Sequence, residues 1–292
     1  MSTPRWTLSD FPDQTGRRWL ITGATNGLGL ATARAVAGAG GTLVLPARNR
    51  ALASALNDEL GGRHEIVDLD LADLASVRAA GAAITSGVDV LVNNAGIIGR
   101  RREETVDGFE KVLGVNQLGP FAFTNLVLPR VRERIVVVSS NIHPGGRIDL
   151  ADPHARHRRW TIQRAYADSK LANMLWGLAL ERRLRGTGIG VQLVHPGWVM
   201  SNLQSAIGNA PMTRAYNVAA KPFAQSAEQS ALCVLFAATM DLPACSYVGP
   251  DGRMHLHGHP SLLGRSAAAS DPRLAEDVWQ LSASETGTDL PA

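Results

Sequence analysis

Residues 18–29 read Arg18-Trp19-Leu20-Ile21-Thr22-Gly23-Ala24-Thr25-Asn26-Gly27-Leu28-Gly29, and the following stretch to residue 39 is rich in Ala and Leu. A short apolar run, a glycine-rich turn and a helical stretch in that order predict strand, loop and helix. Glycines at 23, 27 and 29 let the chain turn sharply, let an anion approach the backbone, and let the helix pack close to the strand. The start of the helix then offers unpaired N–H groups to that anion. The loop running through Gly23, Thr25, Asn26, Gly27, Leu28 and Gly29 is therefore a candidate pyrophosphate cradle. Its Gly-x3-Gly-x-Gly spacing differs from the commoner Gly-x-Gly-x-x-Gly fingerprint, and a methyltransferase loop or a plain tight turn carries similar glycines. Its place after the first predicted strand favours the phosphate reading.

Working outward, the same strand-then-helix unit repeats. Further strands are expected at 41–45, 64–69, 88–93, 135–139 and 190–195, with a shorter one at 246–248. Helices are expected at 51–60, 75–84, 103–115, 121–131, 166–184 and 226–238. Continuous apolar runs alternating with helices indicate a parallel sheet covered on both faces. That is the doubly wound α/β (Rossmann) architecture, whose ligands bind at the carboxyl ends of the strands. No repeat or low-complexity linker divides the chain, so a single domain is expected over 1–292. Its core spans about 18–248, and 249–292 form a C-terminal extension.

Composition narrows the class. The chain has 292 residues, 45% of them hydrophobic and 19% charged, which excludes a disordered chain or a coiled coil. Only Lys111, Lys170 and Lys221 are lysines, so arginine supplies nearly all of a net charge of only +3. The arginines are spread out rather than striped, which argues against nucleic acid. Cys233 and Cys245 make no disulfide framework and have no ligand at metal spacing. The first residues lack a signal-peptide apolar region, and no window reaches the ~20 apolar residues of a membrane span. A soluble, cytoplasmic protein is expected, with no membrane and no metal.

The second strand ends at Pro46-Ala47-Arg48-Asn49-Arg50, where an NAD enzyme would usually place an acid for the ribose 2′-hydroxyl. A guanidinium suits a 2′-phosphate instead, so Arg48 points to NADP(H) in preference to NAD(H). After the third strand, Asp70 and Leu71 stand where an acid can accept from an adenine amino group, whereas Asp73 suits an N-cap. After the fourth, Asn94, Ala95 and Gly96 are small enough for a cofactor to lie against the backbone. Tyr166 and Lys170 are spaced i, i+4 and share one helix face. A nearby ammonium favours the phenolate, which is expected to lower the tyrosine pKa toward a useful value.

Taken together, Thr22-Gly23-x3-Gly27-x-Gly29, Asn93-Asn94-Ala95-Gly96, Ser139-Ser140, Tyr166-x3-Lys170 and Pro196-Gly197 resemble the short-chain dehydrogenase/reductase family in order and spacing. Residues 138–143, 168–173 and 249 onward resemble its retinol-dehydrogenase-like branch. The resemblance implies catalytic Ser140, Tyr166 and Lys170. It also implies Asn116 as support for a water-mediated proton path to the lysine. It implies that Asn94 and Asp70 touch cofactor, that the Val199 backbone meets the carboxamide, and that Ser201 lies near the pyrophosphate. A homodimer through helices 116–131 and 166–184 is implied too.

The separation of Ser140 from Tyr166 exceeds that of shorter family members, so 141–164 is expected to form one pocket wall and 200–225 the other. Such segments are often lids. The expected substrate is a small lipophilic ketone, aldehyde or secondary alcohol, of polyketide-like or aromatic type among others. Reduction of an activated C=C bond, or a catalytically idle dinucleotide sensor, are alternatives. His255, His257 and His259 alternate along the chain, but nothing near them completes metal-ligand spacing.

Overall fold

A computed structural model describes residues 5–198 and 225–290. Among the described residues, eight strands form one sheet in the order β3-β2-β1-β4-β5-β6-β7-β8. They are β1 (Arg18–Ile21), β2 (Thr42–Ala47), β3 (Glu65–Asp68), β4 (Val88–Asn93), β5 (Val131–Val138), β6 (Gly190–Val194), β7 (Tyr247–Pro250) and β8 (Pro260–Leu263). Neighbours from β3 to β7 pair in parallel, and β8 runs antiparallel to β7. The reversal from β1–β2–β3 to β1–β4–β5 opens a crevice at the strand ends, the doubly wound arrangement.

Side chains alternate across the central strands, so each strand feeds two cores. Leu20, Leu91, Ile135, Val137 and Leu193 enter one core, with α3 (Leu74–Ala83), α5 (Gly119–Val127), α6 (Ile162–Arg183) and the C-terminal helix. Trp19, Ile21, Val90, Val92, Val136 and Val194 enter the other. That second core is closed by α1 (Gly27–Gly38), by α2 (Arg50–Glu59), which supplies Leu56, and by α7 (Ala227–Thr239). Coverage on both faces is why the strands read as unbroken apolar runs.

Three departures from the expected elements have local causes. The helix expected over 103–115 is mostly absent. Gly108 turns the chain with φ +83°, Glu104 and Glu110 bridge in antiparallel fashion, and the Glu110 carboxylate then caps a single turn, α4 (Lys111–Leu113). Residues Gly114–Leu118 continue as a wider π-helical turn. The helix expected to reach 131 ends early, because Leu128–Arg130 tighten around Pro129 and Val131 already opens β5. The C-terminal extension carries β8 and a long helix, α8 (Pro272–Thr286), which the expected element list lacks. Asp271 accepts from Arg273 N and Leu274 N with Pro272 in the first turn, and Gly287 closes the helix with φ +59°.

α8 lies along α6 and touches α5. Trp279 is fully buried with its ring centroid 4.8 Å from that of Phe121, and the Arg183 guanidinium sits 4.1 Å from the Trp279 ring.

Candidate active site

The carboxyl ends of the strands open into a cavity of about 950 Å³, which is large for a ligand site. Its floor is the loop after β1, where Gly23, Thr25, Asn26, Gly27 and Leu28 line the wall. Gly23 adopts φ +69°, a left-handed conformation that a side chain would strain. Gly29 does not line the cavity. It lies beneath the loop, where an added Cβ would overlap the Gly23 carbonyl oxygen and the Asn94 amide. Gly29 thus serves helix-on-strand packing.

The loop is stitched from below by residues after β4. Thr22 Oγ1 accepts from Asn94 N and Ala95 N, each at 3.0 Å. Asn94 Nδ2 donates to Thr22 O at 2.8 Å. The Asn94 amide therefore holds the loop in shape, while Asn94, Ala95 and Gly96 line the cavity. Thr22, named in the motif but given no role from sequence, is the residue whose hydroxyl closes the loop from below.

Asp70 and Leu71 line the far end with Arg48. Asp73 caps α3, while Asp70 Oδ1 accepts from Ala72 N at 2.9 Å. Arg50 pairs with Asp68 at 3.0 Å on the surface, and Arg48 makes no ion pair with a described residue.

At the other end β5 delivers Ser139 and Ser140. Ser139 turns inward and donates from Oγ to Lys170 O at 2.8 Å, whereas Ser140 lines the cavity with Tyr166 and its hydroxyl pulls the phenol pKa downward. This separates the two serines that adjacent positions left ambiguous. Tyr166 and Lys170 both rise from α6, with the Lys170 Nζ 5.6 Å from the Tyr166 ring centroid. Lys170 Nζ donates to Val138 O at 3.1 Å, and Asn173 Nδ2 reaches the same carbonyl at 3.2 Å. Burial pushes the Tyr166 phenol up to about 12, against the opposing pull of the Ser140 bond. Burial also brings Lys170 down to about 8. The shift is upward rather than the lowering expected from the ammonium, because desolvation is the larger cause.

Asn116 sits in the π-helical turn behind the cavity rather than in its wall. Its Oδ1 accepts from Ile97 N at 2.7 Å, and its Nδ2 donates to Ile97 O and Ser169 Oγ, each at 3.0 Å. Both ends of the amide hold the Asn94–Ile97 loop. Of the 141–164 segment only its ends, Asn141 with Ile142 and Ile162 with Gln163, reach the main cavity. Its middle is tied to the protein body, as by Trp160 Nε1 donating to Glu110 Oε1 at 3.2 Å. Val199, Ser201 and 200–224 lie outside the described residues. His255 and His259 use Nδ1 on the carbonyls of Pro250 and Trp6.

The cavity's features fit a nicotinamide dinucleotide: a glycine cradle at a helix start, small residues at 94–96, and hydroxyls gathered at one end.

The profile of the short chain dehydrogenase family matches residues 17–211. A human retinol dehydrogenase ("Retinol dehydrogenase 13") is 38% identical over 204 residues, 64% of this chain. The match spans only 60% of that relative's length. A solved protein from Mycobacterium paratuberculosis is 40% identical, with a TM-score of 0.86 over 99% of this chain and 100% of its own. A short chain dehydrogenase from Burkholderia cenocepacia, solved in complex with NADP, is 28% identical. Its TM-score is 0.61 over 77% of this chain and 91% of its own.

Proposed function

The chain belongs to the short chain dehydrogenase family, and from that premise we propose that it is an NADP(H)-dependent oxidoreductase. It interconverts a lipophilic ketone or aldehyde and the corresponding alcohol. The observation that carries the reading is the Ser140–Tyr166 hydroxyl pair, set on the same cavity wall as Lys170 and continuous with the glycine cradle.

In the reductive direction Ser140 donates a hydrogen bond to the substrate carbonyl oxygen and orients it. Tyr166, held neutral by burial, gives its hydroxyl proton to that oxygen. Lys170 adds positive charge beside the phenolate as it forms and would hold the cofactor ribose. Asn116 fixes the Asn94–Ile97 loop, against which the nicotinamide end would lie, and would support a water-mediated proton path to Lys170. The dinucleotide, when bound, supplies the hydride. In the cradle, Gly23, Thr25, Asn26, Gly27 and Leu28 would hold the pyrophosphate and Asp70 and Leu71 the adenine end, while the family resemblance assigns Val199 to the carboxamide and Ser201 to the pyrophosphate.

Preference for NADP(H) rests on Arg48, which lines the cavity at the end of β2 and makes no ion pair with a described residue. A cytoplasmic location fits the two buried, unpaired cysteines. No helix among the described residues is long and apolar enough to cross a membrane. The resemblance implies pairing through α5 and α6. In this chain α8 covers that face, so we propose a monomer in place of the expected homodimer.

A carbonyl panel with NADPH oxidation followed at fixed enzyme tests the reaction, and no turnover across ketones and aldehydes overturns it. Fluorescence titration tests the cofactor: NADPH should bind about tenfold or more tightly than NADH, and Arg48→Ala should erase most of that difference. Equal affinities in the wild type overturn the role of Arg48.

A further inference from the structure

Beside the main cavity lies a second hollow of about 560 Å³, and Ile142 and Gln163 line both. Three guanidinium groups, from Arg158, Arg159 and Arg164, line the second hollow. The carboxylate nearest to them is that of Asp168. Arg158 Nη1 lies 3.2 Å from its Oδ2 and Arg164 Nε 3.2 Å from its Oδ1. Asp168 Oδ1 already accepts from Arg147 N at 2.7 Å, and Arg164 Nε lacks hydrogen-bond geometry to any partner. Asp149 stands 4.0 Å from Arg158, and Arg159 has no carboxylate partner among the described residues. The hollow therefore keeps an excess of positive charge. The Arg158 and Arg164 side chains are 26% and 40% exposed and Arg159 is exposed, so the charge faces the open hollow. The start of α6, capped by Thr161, adds its positive dipole end at the same place.

We propose that this hollow receives a carboxylate borne by the substrate, making the preferred substrates keto acids or hydroxy acids. The inference rests on the oxidoreductase reading and deepens it. Gln163 and Tyr166 are three residues apart on α6, and Ala167 faces the hollow immediately after Tyr166. The hollow thus adjoins the stretch of α6 that carries Tyr166, with Gln163 about one helical turn before it. A planar guanidinium at Arg159 offers the carboxylate two parallel donors.

Isothermal titration of the NADPH-loaded protein with benzoylpentanoate and with its methyl ester tests this. The two share a phenyl ketone and differ in the charge at the far end. The acid should bind about tenfold or more tightly than the ester, and raised salt should shrink the ratio. Arg159→Gln should bring the ratio toward one, Arg159→Glu should invert it, and Arg159→Lys should restore part of it. The ratio is taken within each preparation, so a partly misfolded variant cannot mimic the result. A wild-type ratio near one overturns the proposal, as do no binding of either compound or a ratio unchanged in both Gln and Glu variants. Turnover of the ester is measured separately. Its absence would count against the oxidoreductase reading, while the binding ratio would still decide the carboxylate hollow.

Discussion

The Tyr166 hydroxyl sits against Ser140 in surroundings that keep its proton bound, with a phenol pKa near 12. The group therefore starts as the acid that carbonyl reduction needs. Tyr166→Phe removes the proton and should lower turnover by about 10²- to 10⁴-fold while NADPH titration changes little. Near-normal turnover in that variant would remove the tyrosine from the proposal. His195 offers a stability prediction. It donates from Nε2 to His255 O at 2.9 Å, its Nδ1 is buried without a partner, and burial lowers its pKa to about 4. Between the ordinary value of 6.5 and about 4 the unfolded chain binds more protons than the folded one, so stability rises with pH in that window. The contribution, about 3 kcal/mol, is complete above pH 6.5 and lost as pH falls toward 4. Urea midpoints measured across this window should fall with acid, and less steeply in His195→Gln. Equal slopes would remove His195 from the account.

At the scale of elements, β1, its loop and α1 form one packed unit with the residues after β4. Thr22 and Asn94 close the loop from below, and Gly29 lets α1 approach the Gly23 carbonyl. Gly29→Ala places a methyl group against backbone that has no free rotamer to yield. It should destabilise the protein by about 1–3 kcal/mol and weaken NADPH binding. Thermal melts with and without NADPH check both effects, and a variant of wild-type stability would show that the loop has room. The motifs here were legible in advance, because glycine spacing and the i, i+4 relation of Tyr166 to Lys170 are local properties. The separate destinations of Ser139 and Ser140 were not. They depend on α6 arriving beneath the end of β5 and taking the Ser139 hydroxyl. The failure of the helix expected over 103–115 has a similar source, since Glu104 pairs with Glu110 around Gly108 and leaves only the last residues helical.

Across the whole molecule, the C-terminal helix decides which surfaces remain available. α6 is buried nearly all round from Ala165 to Glu181, partly by α8, and Trp279 is fully enclosed. The intact chain should therefore sediment as a monomer of 31.1 kDa. Trp279→Ala should cost about 3–5 kcal/mol and loosen α8 from α5 and α6. A dimer of the intact chain, crosslinked through α5 and α6, would overturn this placement of α8. Local pattern was enough to predict the alternating strands and helices, the crevice at the strand ends and the glycine loop that lines it, while the catalytic roles came from the family resemblance. Those features follow from apolar periodicity, backbone permissiveness and short spacings, all of which act within a few residues. The inward turn of Ser139, the raised Tyr166, the amide clamp of Asn116, the antiparallel β8 and the covering of α6 by α8 became visible only in the folded chain. Each depends on burial or on a partner brought from far along the sequence, and desolvation and packing act between neighbours in space.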